Sequence, residues 1–164
     1  MITYKTGDLL ESKADILVNT VNTVGVMGKG IALQFKEKYP KMFEQYKAAC
    51  KSGELKHGGD LWWWKINTNP RDLFSKKDAG KYVLCFATKE NWRKSSKLEW
   101  IERGLVELST YFNSDYFYEF VHKTSIAFPK LGCNNGGLDW ETQVKPLMEK
   151  YLNDLSTVDV EIYV

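Results

Sequence analysis

The chain has 164 residues, 43% hydrophobic and 27% charged, with a formal net charge of +2, which suits one globular domain over residues 1–164 and neither demands nor excludes nucleic acid. Cys50, Cys85 and Cys133 are odd in number, far apart and accompanied by two histidines, which argues against a disulfide framework or a metal site. No apolar run is long enough to span a bilayer and MITYKTGDLL has no signal pattern, so the expectation is a reducing, cytoplasmic setting with no membrane partner.

Ile2 to Lys5 and Asp15 to Asn19 read as strands, the second an apolar run suited to burial on both faces. After VNTVGVMGKG the spacing of Ile31, Ala32 and Phe35 is helical; Pro40 interrupts it, and Met42, Phe43, Tyr46 and Ala49 resume it until Gly53. Asp60 to Ile66 is an aromatic strand. Asn67 to Gly80, with Asn69-Pro70 and several charges, reads as an exposed excursion. Lys81 to Ala87 is a strand and Ser95 to Tyr111 a helix, with Ser95 or Ser96 expected to cap its free amides. Thr124 to Phe128 is a strand, PKLGCNNGG a glycine-rich loop, Leu138 to Leu152 a helix and Val158 to Val164 a closing strand. This alternation predicts an α/β fold with three α/β/α layers around a mixed sheet. In such folds ligands collect where strand ends meet helix starts.

Two of those junctions are built for an anion and a sugar. Asn19 to Gly30 places amides and glycines before a helix N-terminus, and Gly132 to Gly137 repeats the arrangement, with Asp139 opening the next helix. Glycines let backbone N–H groups approach a phosphate, the helix dipole favours negative charge, and asparagine bonds ribose hydroxyls. Either loop also reads as a plain structural turn. Two of them in one small domain point to one elongated ligand with a central diphosphate, and the lack of GxGxxG disfavours a dinucleotide fold.

The run TGDLLESKADILVNTVNTVGVMGKGIALQFK, with FATKENW and FPKLGCNNGGLDW, resembles the macrodomain of the DarG antitoxins, in the branch that includes the human terminal ADP-ribose glycohydrolase. The likeness runs from Thr6 to the final strand. It implies a macrodomain fold and removal of ADP-ribose from thymidine in single-stranded DNA, with ADP-ribose and ADP-ribosylated DNA as partners and no cofactor. It also implies a cognate ADP-ribosyltransferase toxin as a partner. Antitoxins of this kind commonly carry a second, toxin-binding region; a chain ending at Val164 is then either an excised domain or a shorter, purely enzymatic relative.

Residue by residue, the resemblance implies that Asp8, with Leu9 beside it, accepts a hydrogen bond from the adenine amino group. Asn22 holds the distal ribose. Met27, Gly28, Lys29, Gly30 and Ile31 line that ribose and the diphosphate, and Cys133, Asn134, Asn135, Gly136, Gly137 and Leu138 close over the phosphates. Tyr163 packs beside adenine, or is simply core. Lys89, in Thr88-Lys89-Glu90-Asn91-Trp92, stands at a position that is catalytic in such families; from the sequence alone it also reads as a solvated surface lysine. The human enzyme's pattern has an aspartate where Gly136 stands here, which weighs against a lysine-plus-aspartate mechanism.

The loops offer few acids apart from Asp8 and Asp139, so the carboxylate pair usual for glycoside hydrolysis is hard to assemble. The mechanism carried forward has a neutral Lys89 amine attacking the anomeric carbon of the ribose attached to thymine N3, giving a ring-opened Schiff base that water releases. In a weaker version Lys89 only stabilises the leaving base. Rival readings are a glycohydrolase acting on ADP-ribosylated protein or RNA, and a non-catalytic ADP-ribose reader.

Trp92 reads either as a stacking surface for a base or as packing under the next helix, while Arg93, Lys94 and Lys97 are candidates for backbone phosphates. Of Trp62, Trp63 and Trp64 at most two share a face, and they are assigned to core and sheet edge. His57 and His122 have no partner motif. Cys133 reads as a small buried side chain rather than a nucleophile.

Overall fold

The computed structural model describes residues 1–66, 81–115, 117 and 123–164. The excursion expected at 67–80, and His122, lie outside the described residues. Strands β1 (Ile2–Lys5), β2 (Ile16–Val21), β3 (Leu61–Lys65), β4 (Tyr82–Ala87), β5 (Thr124–Pro129) and β6 (Val158–Tyr163) form one sheet in the order β1-β6-β5-β2-β4-β3. Every pairing is parallel except β3 on β4, so the sheet is mixed.

Strand alternation divides the core. Ile16 and Val18 face one side with Leu84, Phe86, Ile126 and Phe128; there they meet Ile101, Leu105 and Leu108 of α3 (Leu98–Phe112) and Met148 and Leu152 of α4 (Lys145–Leu152). Leu17 and Val21 face the other side with Val83 and Cys85, against Phe35 of α1 (Gly30–Lys38) and Met42, Tyr46 and Ala49 of α2 (Pro40–Ser52). Period-two strands and helices with one apolar stripe each thus close both faces of the sheet, giving three layers. The tryptophan triplet obeys the same rule. On the edge strand β3, Trp63 packs into the first half-core while Trp62 and Trp64 pack into the second.

The described elements differ most from the sequence expectation at β2, at the start of α3 and over 138–144. β2 continues two residues beyond Asn19, because Thr20 and Val21 pair with Phe86 and Ala87. Helix α3 begins at Leu98, after Lys97, with no side-chain cap; Ser96 is buried and its backbone N–H goes to Gly136. The segment expected as one helix over 138–152 opens with a π-helical turn, Trp140–Val144, capped by the Asp139 carboxylate at 2.8 Å from Thr142 N. Pro146, the second residue of α4, has no N–H to continue an i→i−4 ladder, and the wider register lies just before it.

Candidate functional site

Because β1, β6, β5, β2 and β4 are parallel, their carboxyl ends lie along one edge of the sheet. The segments following them surround a cleft of about 910 Å³. Strand order fixes what stands where. Asp8 follows β1 and Tyr163 lies on β6, Gly132 to Gly136 follow β5, Asn22 to Lys29 follow β2, and Lys89 follows β4. From β1 to β4 there are four strand spacings, roughly 19 Å at ~4.8 Å each. The cleft is therefore elongated, with Asp8 and Lys89 toward opposite ends and the two glycine-bearing loops between them.

The loop after β2 is folded around Asn22. The Asn22 Oδ1 accepts from the amides of Val24 (3.1 Å) and Val26 (3.2 Å), and Nδ2 donates to the Val26 carbonyl at 2.7 Å. Tyr46 of α2 brings its hydroxyl 2.7 Å from the Asn22 carbonyl and 2.9 Å from Oδ1. The oxygen expected to serve a ribose is thus engaged in shaping the loop, leaving one Nδ2 hydrogen outside these bonds. Met27 is buried, its sulfur 3.8 Å from Asn19 Nδ2, so its side chain turns into the core and Gly28 and Lys29 line the cleft instead. Lys29 makes no side-chain cap on α1. The first turn of α1 at Gly30, Ile31 and Ala32 opens on the cleft with uncapped amides, which together with the helix dipole favour an anion.

The loop after β5 meets this helix start. Gly30 has φ 57°, and a side-chain carbon there would stand 3.2 Å from Asn135 Nδ2. Asn134 turns the chain at φ 56°, a conformation asparagine tolerates. Gly132, Cys133, Asn134, Asn135 and Gly136 line the cleft; Gly137 and Leu138 lie outside that lining, and Leu138 packs on the first half-core. Burial pushes the Cys133 thiol up, away from thiolate chemistry. A side-chain carbon on Gly136 would meet Ser96 Oγ at 2.5 Å. An aspartate there requires Ser96 to move.

Lys89 bridges these loops. Register sets Val21 opposite Ala87, and the Val21 carbonyl accepts from the amides of Thr88 (3.0 Å) and Lys89 (3.3 Å). The Lys89 amine lies 2.5 Å from the Asn135 carbonyl and 3.5 Å from that of Trp92. Burial lowers its pKa below the ordinary lysine value, and the positive charge of Lys29 acts in the same direction; both favour the neutral amine.

Lys29, Lys89, Arg93 and Lys130 line the cleft with one acid, Asp8, among the described residues. Asp8 Oδ1 caps the short turn Leu9–Glu11 at 2.9 Å from Leu10 N. Asp139 is occupied as a helix cap and is absent from the lining. Among the described residues no carboxylate pair brackets the cleft, and no three His, Cys, Asp or Glu side chains group as metal ligands. The arrangement suits a polyanion with a sugar held next to an amine. Trp92 is 46% exposed and lines the cleft with Arg93, so it does not pack under α3; Lys94 lies outside the lining.

The sequence model described as Macro domain matches residues 18–147. The chain belongs to the macro domain family. It is 44% identical over 163 residues to the DNA ADP-ribosyl glycohydrolase of Mycobacterium tuberculosis, covering 99% of this chain and 42% of that protein. The solved macrodomain of M. tuberculosis DarG superposes with a TM-score of 0.83 at 43% identity, over 99% of this chain and 97% of that one. A Thermosipho africanus protein named as a DNA ADP-ribosyl transferase-DNA ADP-ribosyl glycohydrolase fusion is 36% identical over 96% of this chain and 40% of its own length. The structure of T. africanus DarTG in complex with ADP-ribose matches with a TM-score of 0.81 at 33% identity, over 99% of this chain and 42% of that one. The chain thus spans about two fifths of the length of the curated relatives it matches.

Several residues of this macro domain's site had no signal in the sequence reading. Tyr46 reaches the first loop from α2, and Glu90 ties that loop to the lysine loop, its carbonyl accepting from Thr23 Oγ1 (3.1 Å) and its Oε1 from Gly58 N (3.1 Å). Both contacts span dozens of residues, which no local pattern announces. Lys130 lines the cleft directly after β5, a strand-end position that could have been read.

Proposed function

We propose that this macro domain holds ADP-ribose across the cleft and hydrolyses its bond to thymidine in single-stranded DNA, reversing the mark left by an ADP-ribosyltransferase toxin. The observation that carries this reading is the Lys89 amine, set at one end of an elongated cationic cleft and shifted toward its neutral form. Adenine lies toward Asp8 and Tyr163, the diphosphate over the first turn of α1 and the Asn134–Gly136 turn, and the distal ribose toward Lys89. The names of the M. tuberculosis and T. africanus relatives support DNA as the carrier and a transferase as the partner.

In this mechanism the lone pair of the Lys89 amine attacks the anomeric carbon and the bond to thymine N3 breaks. N3 takes up the proton the amine loses. The resulting glycosylamine opens, ring oxygen accepting a proton as the C–O bond breaks, to a Schiff base; water adds to its carbon, regenerating the amine and releasing ADP-ribose. The cleft's own groups serve this sequence without a metal or redox cofactor. Before attack, the Asn135 carbonyl orients the amine.

The test is incubation of thymidine-ADP-ribosylated single-stranded DNA with the parent protein and with Lys89→Ala. Release by the parent, reduced at least about 10²-fold in the variant, is expected. Release confined to a modified peptide or RNA would move the assignment to that carrier, and binding without release by the parent would make the domain a reader.

A further inference from the structure

Trp92 is an indole that the fold leaves partly open to solvent. Nearly half of it is exposed at the rim of the cleft, and its place in the turn is fixed: Asn91 Oδ1 accepts from Arg93 N at 2.9 Å and the Asn91 carbonyl from Lys94 N at 3.1 Å. The Arg93 guanidinium stacks 4.7 Å from the ring centroid. A planar cation on one face leaves an aromatic surface that is held in place yet open to a second flat partner. The Trp92 carbonyl lies 3.5 Å from the Lys89 amine, so the residue that carries this ring is in contact with the amine and lines the same cleft.

A modification at thymine N3 occupies the edge that pairs with adenine, so the modified base sits in a strand whose local pairing is lost. Its neighbour is then free to stack elsewhere. We propose that Trp92, backed by Arg93, is the platform for the nucleobase next to the modified thymine, so that the protein selects an unpaired strand over an isolated modified nucleoside. Arg93 at the cleft, with Lys94 exposed directly after it in the chain, supplies positive charge for the flanking phosphates, which favours a nucleic-acid strand over a peptide. This inference rests on the glycohydrolase reading above and adds to it a residue that sets specificity.

The test compares kcat/KM on an ADP-ribosylated thymidine nucleoside with that on an oligonucleotide carrying the same adduct. It is run with the parent, Trp92→Ala and Trp92→Phe, and with oligonucleotides bearing an abasic residue on the 5′ or the 3′ side of the adduct. The oligonucleotide-to-nucleoside ratio is expected to fall roughly 5- to 150-fold in Trp92→Ala, the range for losing one base–aromatic stack, and by less in Trp92→Phe. An abasic residue on one side should lower turnover by the parent and make little further difference to Trp92→Ala, because both changes remove the same contact. Release with an unchanged ratio, or an abasic penalty equal in parent and variant, overturns the platform alone. No release by the parent from either substrate overturns the glycohydrolase reading together with it. An ADP-ribosylated peptide whose turnover depends on Trp92 as strongly as that of the oligonucleotide contradicts a nucleobase as the occupant.

Discussion

An amine attacks only when it is not an ammonium, and the surroundings of Lys89 shift it in that direction. Partial burial lowers its pKa and Lys29 adds a like charge. The pH profile of kcat/KM reports ionisations of the free enzyme, so activity should rise with pH along a limb centred below the usual lysine value of 10.5 as Lys89 loses its proton. Lys29→Gln removes a positive neighbour and should move that limb to higher pH, whatever it does to the plateau. A limb that stays in place when Lys29 is neutralised would separate Lys89 from the profile. A side-chain carbon on Gly136 would stand 2.5 Å from Ser96 Oγ, so an acid placed there needs Ser96 to shift.

At the scale of elements, the loop after β2 keeps its shape because α2 reaches back to it. Tyr46, fully buried, directs its hydroxyl at the Asn22 carbonyl and side chain. Tyr46→Phe deletes that donor from a buried network, and a loss of about 1–2 kcal/mol is expected, seen as a fall in Tm of roughly 2–8 °C. ADP-ribose affinity should fall with it as the loop loosens. A variant with parental Tm and affinity would show the hydroxyl to be idle.

The strands were legible because their apolar runs and alternation are local, and the anion-ready loops because asparagines and glycines cluster at strand ends. Reading the start of α3 from Ser95 or Ser96 failed for a tertiary reason: Ser96 is drawn in behind Gly136, and helix geometry begins after Lys97. Tertiary packing also turns the Met27 side chain into the core, and Asn22, which lines the cleft, knits its own loop as well. For Trp92, sequence left packing and exposure open; only the folded loop places the ring at the rim.

Across the whole sheet, strand order sets the Asp8 end of the cleft apart from the Lys89 end. Asp8 lies beside the end of β1 and Lys89 beyond the end of β4, with β6, β5 and β2 between. A substitution at the Asp8 end should therefore act on binding alone. Asp8→Asn keeps an oxygen to cap Leu10 N but loses the charge, and KM should rise about 10-fold or more with kcat changed little. A matched fall in kcat would mean that the two ends are not independent. A covalent bond between Lys89 and the sugar is the central step of the proposed mechanism. The direct measurement is borohydride reduction during turnover of modified DNA, followed by mass analysis of the protein's peptides. An ADP-ribose-derived adduct on the peptide containing Lys89, absent when DNA is unmodified, is predicted; efficient turnover with no adduct, or with the adduct on Lys29 or Lys130 instead, contradicts it.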